Sequence, residues 1–193
     1  MSAPLGAGDA ELLAAVEAVT ATLGQFGVPY FITGSFASSV QGVYRATNDV
    51  DIVADLAHAD LEALFERLSA EFVADLDQAR SALASRVGFN LIHKRTYLKV
   101  DVFPCLTAFE YEATRRAEPI SLGQAGSPLR VATREDILLA KLRWYRQGGE
   151  QSEVQRRDIQ GLVALNRGEM DVEYMRRWAS TLGVDDLLSH YLA

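Results

Sequence analysis

Two aspartates separated by one residue are the side chains best placed to do chemistry. Asp49 and Asp51 belong to the segment Asp-Val-Asp-Ile-Val. Residues two apart on a β-strand share a face, so these carboxylates project together while Val50 and Ile52 enter the core. Two adjacent negative charges need a counterion, and carboxylate oxygens suit magnesium, with manganese as the substitute. The solvated face of an ordinary amphipathic strand is the alternative interpretation.

A third aspartate, Asp101, lies on a predicted hairpin. The segments 89–93 and 97–103 are largely apolar and flank a polar turn at 94–96, which predicts two antiparallel strands. If the second of these strands pairs beside 49–53, the three carboxylates meet. Such a group can hold two metal ions about 4 Å apart, one at the attacking oxygen and one at the leaving group.

A Gly-Ser turn precedes the acidic strand. Gly34 and Ser35 follow the short apolar run 28–33 and open a segment of small residues that suits a short helix. Backbone N–H groups at a helix start, with the Ser35 hydroxyl, can bind phosphate, and Gly34 allows close approach. A plain turn followed by an N-cap is the alternative. Arg45 and Thr47, in the connection to the acidic strand, are further candidates for phosphate contact, although a solvated loop is the commoner place for such residues.

The combination of these motifs resembles a known superfamily. Gly34-Ser35, thirteen further residues, Asp49-Val-Asp51 and a later strand with Asp101 are similar to the polymerase-beta-like nucleotidyltransferases. The resemblance implies an α/β (α+β) nucleotidyltransferase fold with a mixed sheet flanked by helices. It also implies that Asp49, Asp51 and Asp101 are catalytic and bind magnesium, that Asp101 helps to deprotonate the acceptor, and that Gly34 and Ser35 bind the phosphates.

The C-terminal third reads as helical. A stretch rich in Gly, Ser and Pro at 121–128 separates it from the strands, which predicts a nucleotidyltransferase core over 1–125 and a helical subdomain over 126–193 packed on it. Lys141 and Asp158 each fall on the apolar stripe of neighbouring predicted helices. Three interpretations are open: the two side chains form a structural ion pair, they face the nucleotide, or Lys141 snorkels to solvent.

Loose motifs in this part look like those of the AbiEii/AbiGii toxin-type nucleotidyltransferases. They are Lys99-Val-Asp101, Glu135 followed by Lys141, and Asp158. This resemblance implies that Lys99 and Lys141 contact nucleotide phosphates and that Glu135 and Asp158 support the site. It also implies an acceptor such as a tRNA end or a protein, and a cognate antitoxin protein as partner.

Charge and cysteine content limit the partners and the cellular compartment that we expect for this protein. The chain has 19 Lys and Arg against 26 Asp and Glu, a net charge of −7, so as a whole it repels nucleic acid. Cys105 is the only cysteine, which excludes an internal disulfide and fits a reducing compartment. Without a secretory or membrane-spanning pattern, we expect a cytoplasmic protein that does not enter a membrane.

The sequence therefore predicts transfer of a nucleoside monophosphate from a triphosphate to an acceptor hydroxyl, with pyrophosphate leaving. The acceptor is RNA or protein if the toxin resemblance holds. The acidic net charge keeps a small molecule, as in the antibiotic-modifying members, as an alternative. A nucleotide-binding module of the same fold without turnover is the second alternative.

Overall fold

A computed structural model describes residues 7–42, 47, 49–122 and 128–193, with side chains from residue 11 onward. Its strands are β1 (Tyr30–Thr33), β2 (Asp49–Ala54), β3 (Phe72–Val73), β4 (Phe89–His93), β5 (Lys99–Pro104), β6 (Glu118–Ile120) and β7 (Leu129–Val131). Its helices are α1 (Ala7–Gln25), α2 (Gly34–Val40), α3 (Leu61–Leu68), α4 (Leu76–Ala84), α5 (Ala108–Arg116), α6 (Arg134–Gln147), α7 (Glu153–Leu165), α8 (Val172–Leu182) and α9 (Asp185–Leu192). In the described ranges, none of these helices has the length and apolar composition that crossing a membrane requires.

All the strands join one sheet in the order β3-β4-β5-β2-β1-β7-β6. The pairs β2–β5 and β1–β7 are parallel and the other pairs are antiparallel, so the mixed sheet flanked by helices is confirmed. Because β1 runs opposite to β2 and β5, its end lies at the same edge as their beginnings. We call this edge, formed by Thr33, Asp49 and Lys99, the acidic edge.

Alternation along β2 and β5 sorts the side chains between the two faces of the sheet. Val50, Ile52, Val100 and Val102 are buried in the core cluster that also contains the apolar sides of α1 and α3. The intervening residues point to the opposite face, where the acidic side chains lie. The same alternation that builds the core therefore gathers the charges on one side.

A second apolar cluster lies among the C-terminal helices. It joins Phe109 of α5 to residues of α6, α7, α8 and α9. The expected boundary at 125/126 falls in a segment outside the described residues. Strand β7 follows that boundary and pairs with β1, so the C-terminal part contributes a strand as well as helices. The division into two units stays a proposal.

A buried polar network ties α5, α6 and α8 together. Asp136 accepts hydrogen bonds from the hydroxyls of Thr133 (2.8 Å) and Tyr174, and Arg116 approaches it to 3.4 Å. The Arg116 guanidinium also lies 3.8 Å from the centre of the Tyr174 ring. Burial raises the pKa of Asp136, and the hydrogen bonds from Tyr174 and Thr133 oppose that rise. The network therefore holds a carboxylate in place under the helical cluster.

We expect Tyr174→Phe to lower the free energy of unfolding by about 1–3 kcal/mol, because it removes a donor from a buried carboxylate. Tyr111→Phe is the matched control, since Tyr111 is 47% exposed on α5. Urea unfolding of both variants measures the difference. Equal stabilities would show that water or Arg116 replaces the Tyr174 hydroxyl without loss.

Candidate active site

The register of β2 and β5 brings the three predicted aspartates together. Asp51 is the direct partner of Asp101, and Asp49 is the partner of Lys99 in the same parallel pair. Directly paired residues on neighbouring strands point to the same face, so three carboxylates and one ammonium share a small area at the acidic edge. Thr33, the last residue of β1, is paired with Asp51 on its other side.

Gly34 makes room for Asp51. A Cβ atom on Gly34 would lie 1.8 Å from Oδ2 of Asp51, and the residue has φ +71°. Both facts require glycine: the left-handed conformation disfavours a side chain, and the carboxylate already occupies the space. The strand–glycine–helix turn thus presses the α2 backbone against the central carboxylate.

Burial and like charges act together on Asp51. Burial, with a smaller contribution from the carboxylates of Asp49 and Asp101, raises the pKa of Asp51 to about 6. The positive charges of Lys99 and Lys141 act in the opposite direction. Burial and mutual repulsion therefore destabilise the ionised carboxylates at the acidic edge. A cation bound nearby would reduce this repulsion.

Two of the carboxylates already have partners within the protein. Lys99 lies 2.6 Å from Oδ2 of Asp101, and this contact raises the pKa of Lys99. The Thr47 hydroxyl donates a hydrogen bond to the Asp49 carboxylate. The structure thus places Thr47 and Lys99 at the acidic edge, in contact with the acids themselves.

Of the other two residues predicted to contact phosphate, the structure describes Ser35 but not Arg45. Ser35 is half-buried in the first turn of α2, whose leading N–H groups have no partner within the helix. Arg45 lies outside the described residues. The phosphate roles of both residues stay predictions.

Lys141 and Asp158 form a buried ion pair. Nζ of Lys141 donates to Oδ2 of Asp158 at 2.8 Å, and the two residues are only 5% and 7% exposed. This burial excludes a snorkelling Lys141. Its charge also acts on Asp51, as described above, and its helix α6 packs against α2. Lys141 therefore connects the helical part electrostatically to the acidic edge, whichever role it has in the reaction.

Glu135 lies elsewhere in the network beneath the helices. Its carboxylate is 3.5 Å from Arg116 and accepts a hydrogen bond from the backbone N–H of Asp171, the N-cap of α8. These contacts stabilise the start of α8. A supporting part for Glu135 in the reaction stays a prediction.

Sequence reasoning missed Asn90. This residue is the direct partner of Asp101 on β4, and it is exposed, whereas its neighbours Phe89 and Leu91 are buried. A polar residue in the middle of the apolar run Phe-Asn-Leu-Ile-His was the available signal. The pairing register that places Asn90 beside Asp101 is seen only in the structure.

The donor set fits a hard divalent cation. The acidic side chains at this edge are all carboxylates, whose oxygens are the ligand chemistry that magnesium prefers. Among the described residues, no three carboxylate, imidazole or thiol groups are arranged as a ready-made metal site. In this arrangement the Lys99 ammonium is paired with Asp101, so a metal ion would compete with it for that carboxylate. Asp49, Asp51 and Asp101 are the residues that would hold the metal.

We expect Gly34→Ala to destabilise the fold by at least about 2 kcal/mol more than Gly27→Ala. Both glycines have positive φ, which costs about 1–2 kcal/mol for alanine, but the space around Gly27 is open. Urea unfolding of the two variants isolates the collision with Asp51. The double variant Gly34→Ala, Asp51→Ala should recover part of the loss. Equal losses for the two single variants would mean that Asp51 moves aside freely.

We expect Asp158→Leu to cost about 3–5 kcal/mol, because it leaves the Lys141 ammonium buried without this partner. The double variant Lys141→Met, Asp158→Leu should regain most of that stability. The exposed pair of Arg80 and Glu62 provides the control, since Glu62→Ala should cost less than about 1 kcal/mol. A double variant as unstable as Asp158→Leu alone would contradict the assignment of a structural pair.

Comparisons with known proteins agree with this architecture. No protein-family model matches the sequence, and no curated protein does. The solution structure of the antibiotic-resistance factor ANT(2'')-Ia superposes with a TM-score of 0.57 at 20% identity, over 95% of this chain and 99% of that one. The crystal structure of ANT(2'')-Ia with adenylyl-2''-tobramycin gives 0.56 at 16% identity, over 89% and 98%.

A fungal protein gives the same result. The antigenic nucleotidyltransferase-like protein from Paracoccidioides brasiliensis superposes with a TM-score of 0.55 at 19% identity, over 98% of this chain and 94% of that one. The similarity extends over almost the whole of each chain, so it includes the C-terminal helices. The chain therefore has the nucleotidyltransferase fold.

Proposed function

We propose that this protein is a magnesium-dependent nucleotidyltransferase that moves a nucleoside monophosphate from a nucleoside triphosphate to an acceptor hydroxyl. The observation that carries the proposal is the packing of Asp51 between Asp49, Asp101 and the backbone of Gly34. This arrangement puts concentrated negative charge beside a strand–glycine–helix turn in a chain with the nucleotidyltransferase fold. The similarity in fold alone would be a weaker argument, because a fold does not determine an activity.

The reaction needs one bond to form and one to break. The acceptor oxygen attacks the α-phosphorus, the bond from that phosphorus to the bridging oxygen breaks, and pyrophosphate leaves with the electron pair. The acceptor proton passes to a base, and Asp101 is our candidate because its partner on the neighbouring strand β4 is the exposed Asn90. Magnesium held by the three aspartates would supply neutralisation of the phosphate charge.

Positioning of the triphosphate falls to residues around Gly34. We assign the phosphates to the backbone at Gly34 and Ser35, with Arg45 and Thr47 in the connection before β2. Lys99 and Lys141 are described cations whose charges lower the pKa of Asp51. Each ammonium is paired with a carboxylate, so we infer that bound phosphate competes with those carboxylates and that Asp158 holds Lys141 ready.

The acceptor that we favour is a small hydroxylated molecule. ANT(2'')-Ia is an antibiotic-resistance factor of nearly the same extent as this chain, and its adenylylated product has been seen bound to it. A net charge of −7 opposes the approach of RNA and favours a cationic acceptor. The toxin-type activity on tRNA or protein, and the antitoxin partner, rest on the motifs at Lys99, Lys141 and Asp158 and stay predictions.

We expect the wild-type protein, supplied with magnesium, a nucleoside triphosphate and an acceptor, to release pyrophosphate. The double variant Asp49→Asn, Asp51→Asn should lower that rate by at least about 10³-fold, because it removes the charges that hold the metal. Asp77→Asn makes the same chemical change on a side chain that is 95% exposed, and it should leave the rate unchanged. Chelation of magnesium should stop the wild-type reaction.

The acceptor panel should contain tobramycin, tRNA and a mixed protein extract, each with the four triphosphates in turn. Radiolabel on one acceptor, absent from the double variant, would identify donor and acceptor together. Tight nucleotide binding without pyrophosphate release from any mixture would contradict the proposal and favour a binding module.

A further inference from the structure

The face that carries the aspartates continues beyond them onto the next two strands. One row runs across the sheet through Asp51, Asp101 and Asn90. The neighbouring row runs through Asp49, Lys99, Ile92 and Val73, which are direct partners on β2, β5, β4 and β3. The side chains of each row share one face, so the acidic edge extends sideways into a strip of uncharged residues.

This strip is open to solvent. Asn90 is exposed, Ile92 is half-buried and Val73 is 61% exposed, whereas their neighbours Phe72, Leu91 and His93 on the other face are buried. On the side of Asn90 away from Ile92, the ring of Phe103 occupies the space in front of Gly88, where an added Cβ would lie 2.7 Å from Cδ1. We call the group Asn90, Ile92, Val73 and Phe103 the acceptor shelf.

The order of the strands separates this shelf from the phosphate side. Gly34 and Ser35 follow β1, and Lys141 lies on α6 against α2, so these three proposed phosphate contacts lie on the β1 side of β2. Lys99, on β5, lies beside the acids between them and the shelf. The acceptor shelf lies on the other side, beyond β5. An in-line displacement needs the attacking and leaving oxygens on opposite sides of the phosphorus. If the leaving pyrophosphate lies toward β1, the attacking oxygen comes from the side of the shelf.

We propose that the acceptor shelf binds the acceptor, and that the acceptor hydroxyl belongs to a sugar ring. Asn90 offers one amide donor and one carbonyl acceptor beside Asp101, which suits a second hydroxyl or an amine next to the one that attacks. Ile92 and Val73, on one side of Asn90, offer apolar contacts to the C–H face of the same ring. Phe103, on the other side of Asn90, offers an apolar contact to a neighbouring group of the acceptor. This inference rests on the proposed nucleotidyl transfer and narrows its acceptor to a ring that carries neighbouring polar groups and an apolar face.

Two sources supply such a ring, a small amino-sugar glycoside and the terminal ribose of an RNA. Steady-state kinetics with tobramycin and with the trinucleotide CCA as acceptors distinguish them. For the source that is used, Asn90→Ala should raise the KM for the acceptor about tenfold, the effect of losing one hydrogen bond. The KM for the triphosphate should change less than twofold. Gln160→Ala is the matched control, because it removes an exposed carboxamide on the side of α7 opposite Asp158.

A binding measurement keeps the test independent of turnover. The ¹⁵N-labelled full chain carrying Asp49→Asn and Asp51→Asn is titrated with each probe and followed by NMR. We expect the Asn90 side-chain amide signal, identified by its loss in Asn90→Ala, to shift together with the backbone signals of Ile92 and Val73.

The outcomes separate the two proposals. Transfer by the wild type with an unchanged acceptor KM in Asn90→Ala, or without shifts at the shelf, would overturn the acceptor shelf and leave the nucleotidyltransferase standing. Shifts at the shelf without transfer by the wild type would support the shelf and contradict the proposed reaction. Neither shifts nor transfer with both probes would overturn the acceptor shelf, and the absence of pyrophosphate release with the whole acceptor panel would overturn the reaction as well.

Discussion

The packing of the Asp51 carboxylate against the Gly34 backbone sets how the sheet and the first turn of α2 meet. Glycine's missing side chain lets the carboxylate sit where a Cβ would be, and pairing with Asp101 and Thr33 holds it there on both sides. That position is electrostatically unfavourable, because the group is buried beside two further carboxylates. Local charge repulsion of this kind persists only where the surrounding structure fixes it, and here the apolar residues on the opposite face of β2 and β5 do so. Those residues, Val50, Ile52, Val100 and Val102, belong to the main core, so burial of the core face fixes the acidic face as well.

The C-terminal helices contribute a positive charge, that of Lys141, which partly offsets this concentration of negative charge. Lys141 is held by Asp158 in a buried pair, and its ammonium still acts on Asp51. If Lys141 contacts a phosphate as we propose, the pairing with Asp158 has already compensated the desolvation of its ammonium. The network around Asp136 stabilises the packing of the same helices. It fixes α6 against α5 and α8, so that the helix carrying Lys141 has a defined position over the sheet.

Much of the acidic edge could be predicted from sequence because its signals are local. Alternation in Asp49-Val-Asp51 assigns the faces, and the polar turn at 94–96 predicts the hairpin that carries Asp101. The position of Asn90 beside Asp101 was not predicted, because it depends on the pairing register of β4 and β5, which local sequence patterns do not determine. Strand β7 was not predicted, because three residues are too few to show a period. Its partner β1 is also about a hundred residues away in the sequence. Helix α5 had a readable start, the capping box of Thr107 and Glu110, which the periodicity argument passed over. The contacts of Glu135 with Arg116 and Asp171 depend on how three helices pack, which no single motif encodes.

The ordering of groups across the sheet also bears on why one fold accepts different acceptors. On the β1 side, the groups proposed for the phosphates are backbone N–H groups and Lys141, and such groups would recognise any nucleoside triphosphate. On the β4 side, Asn90 and Val73 are exposed strand residues whose neighbours on the opposite face form the core, so we expect substitutions at these two positions to change the surface more than the fold. If these positions contact the acceptor as we propose, acceptor specificity can change at them, whereas Gly34 and Asp51 are constrained by each other. The acceptor is accordingly the part of the reaction that fold similarity says least about, and the residues beside Asp101 are where it must be measured.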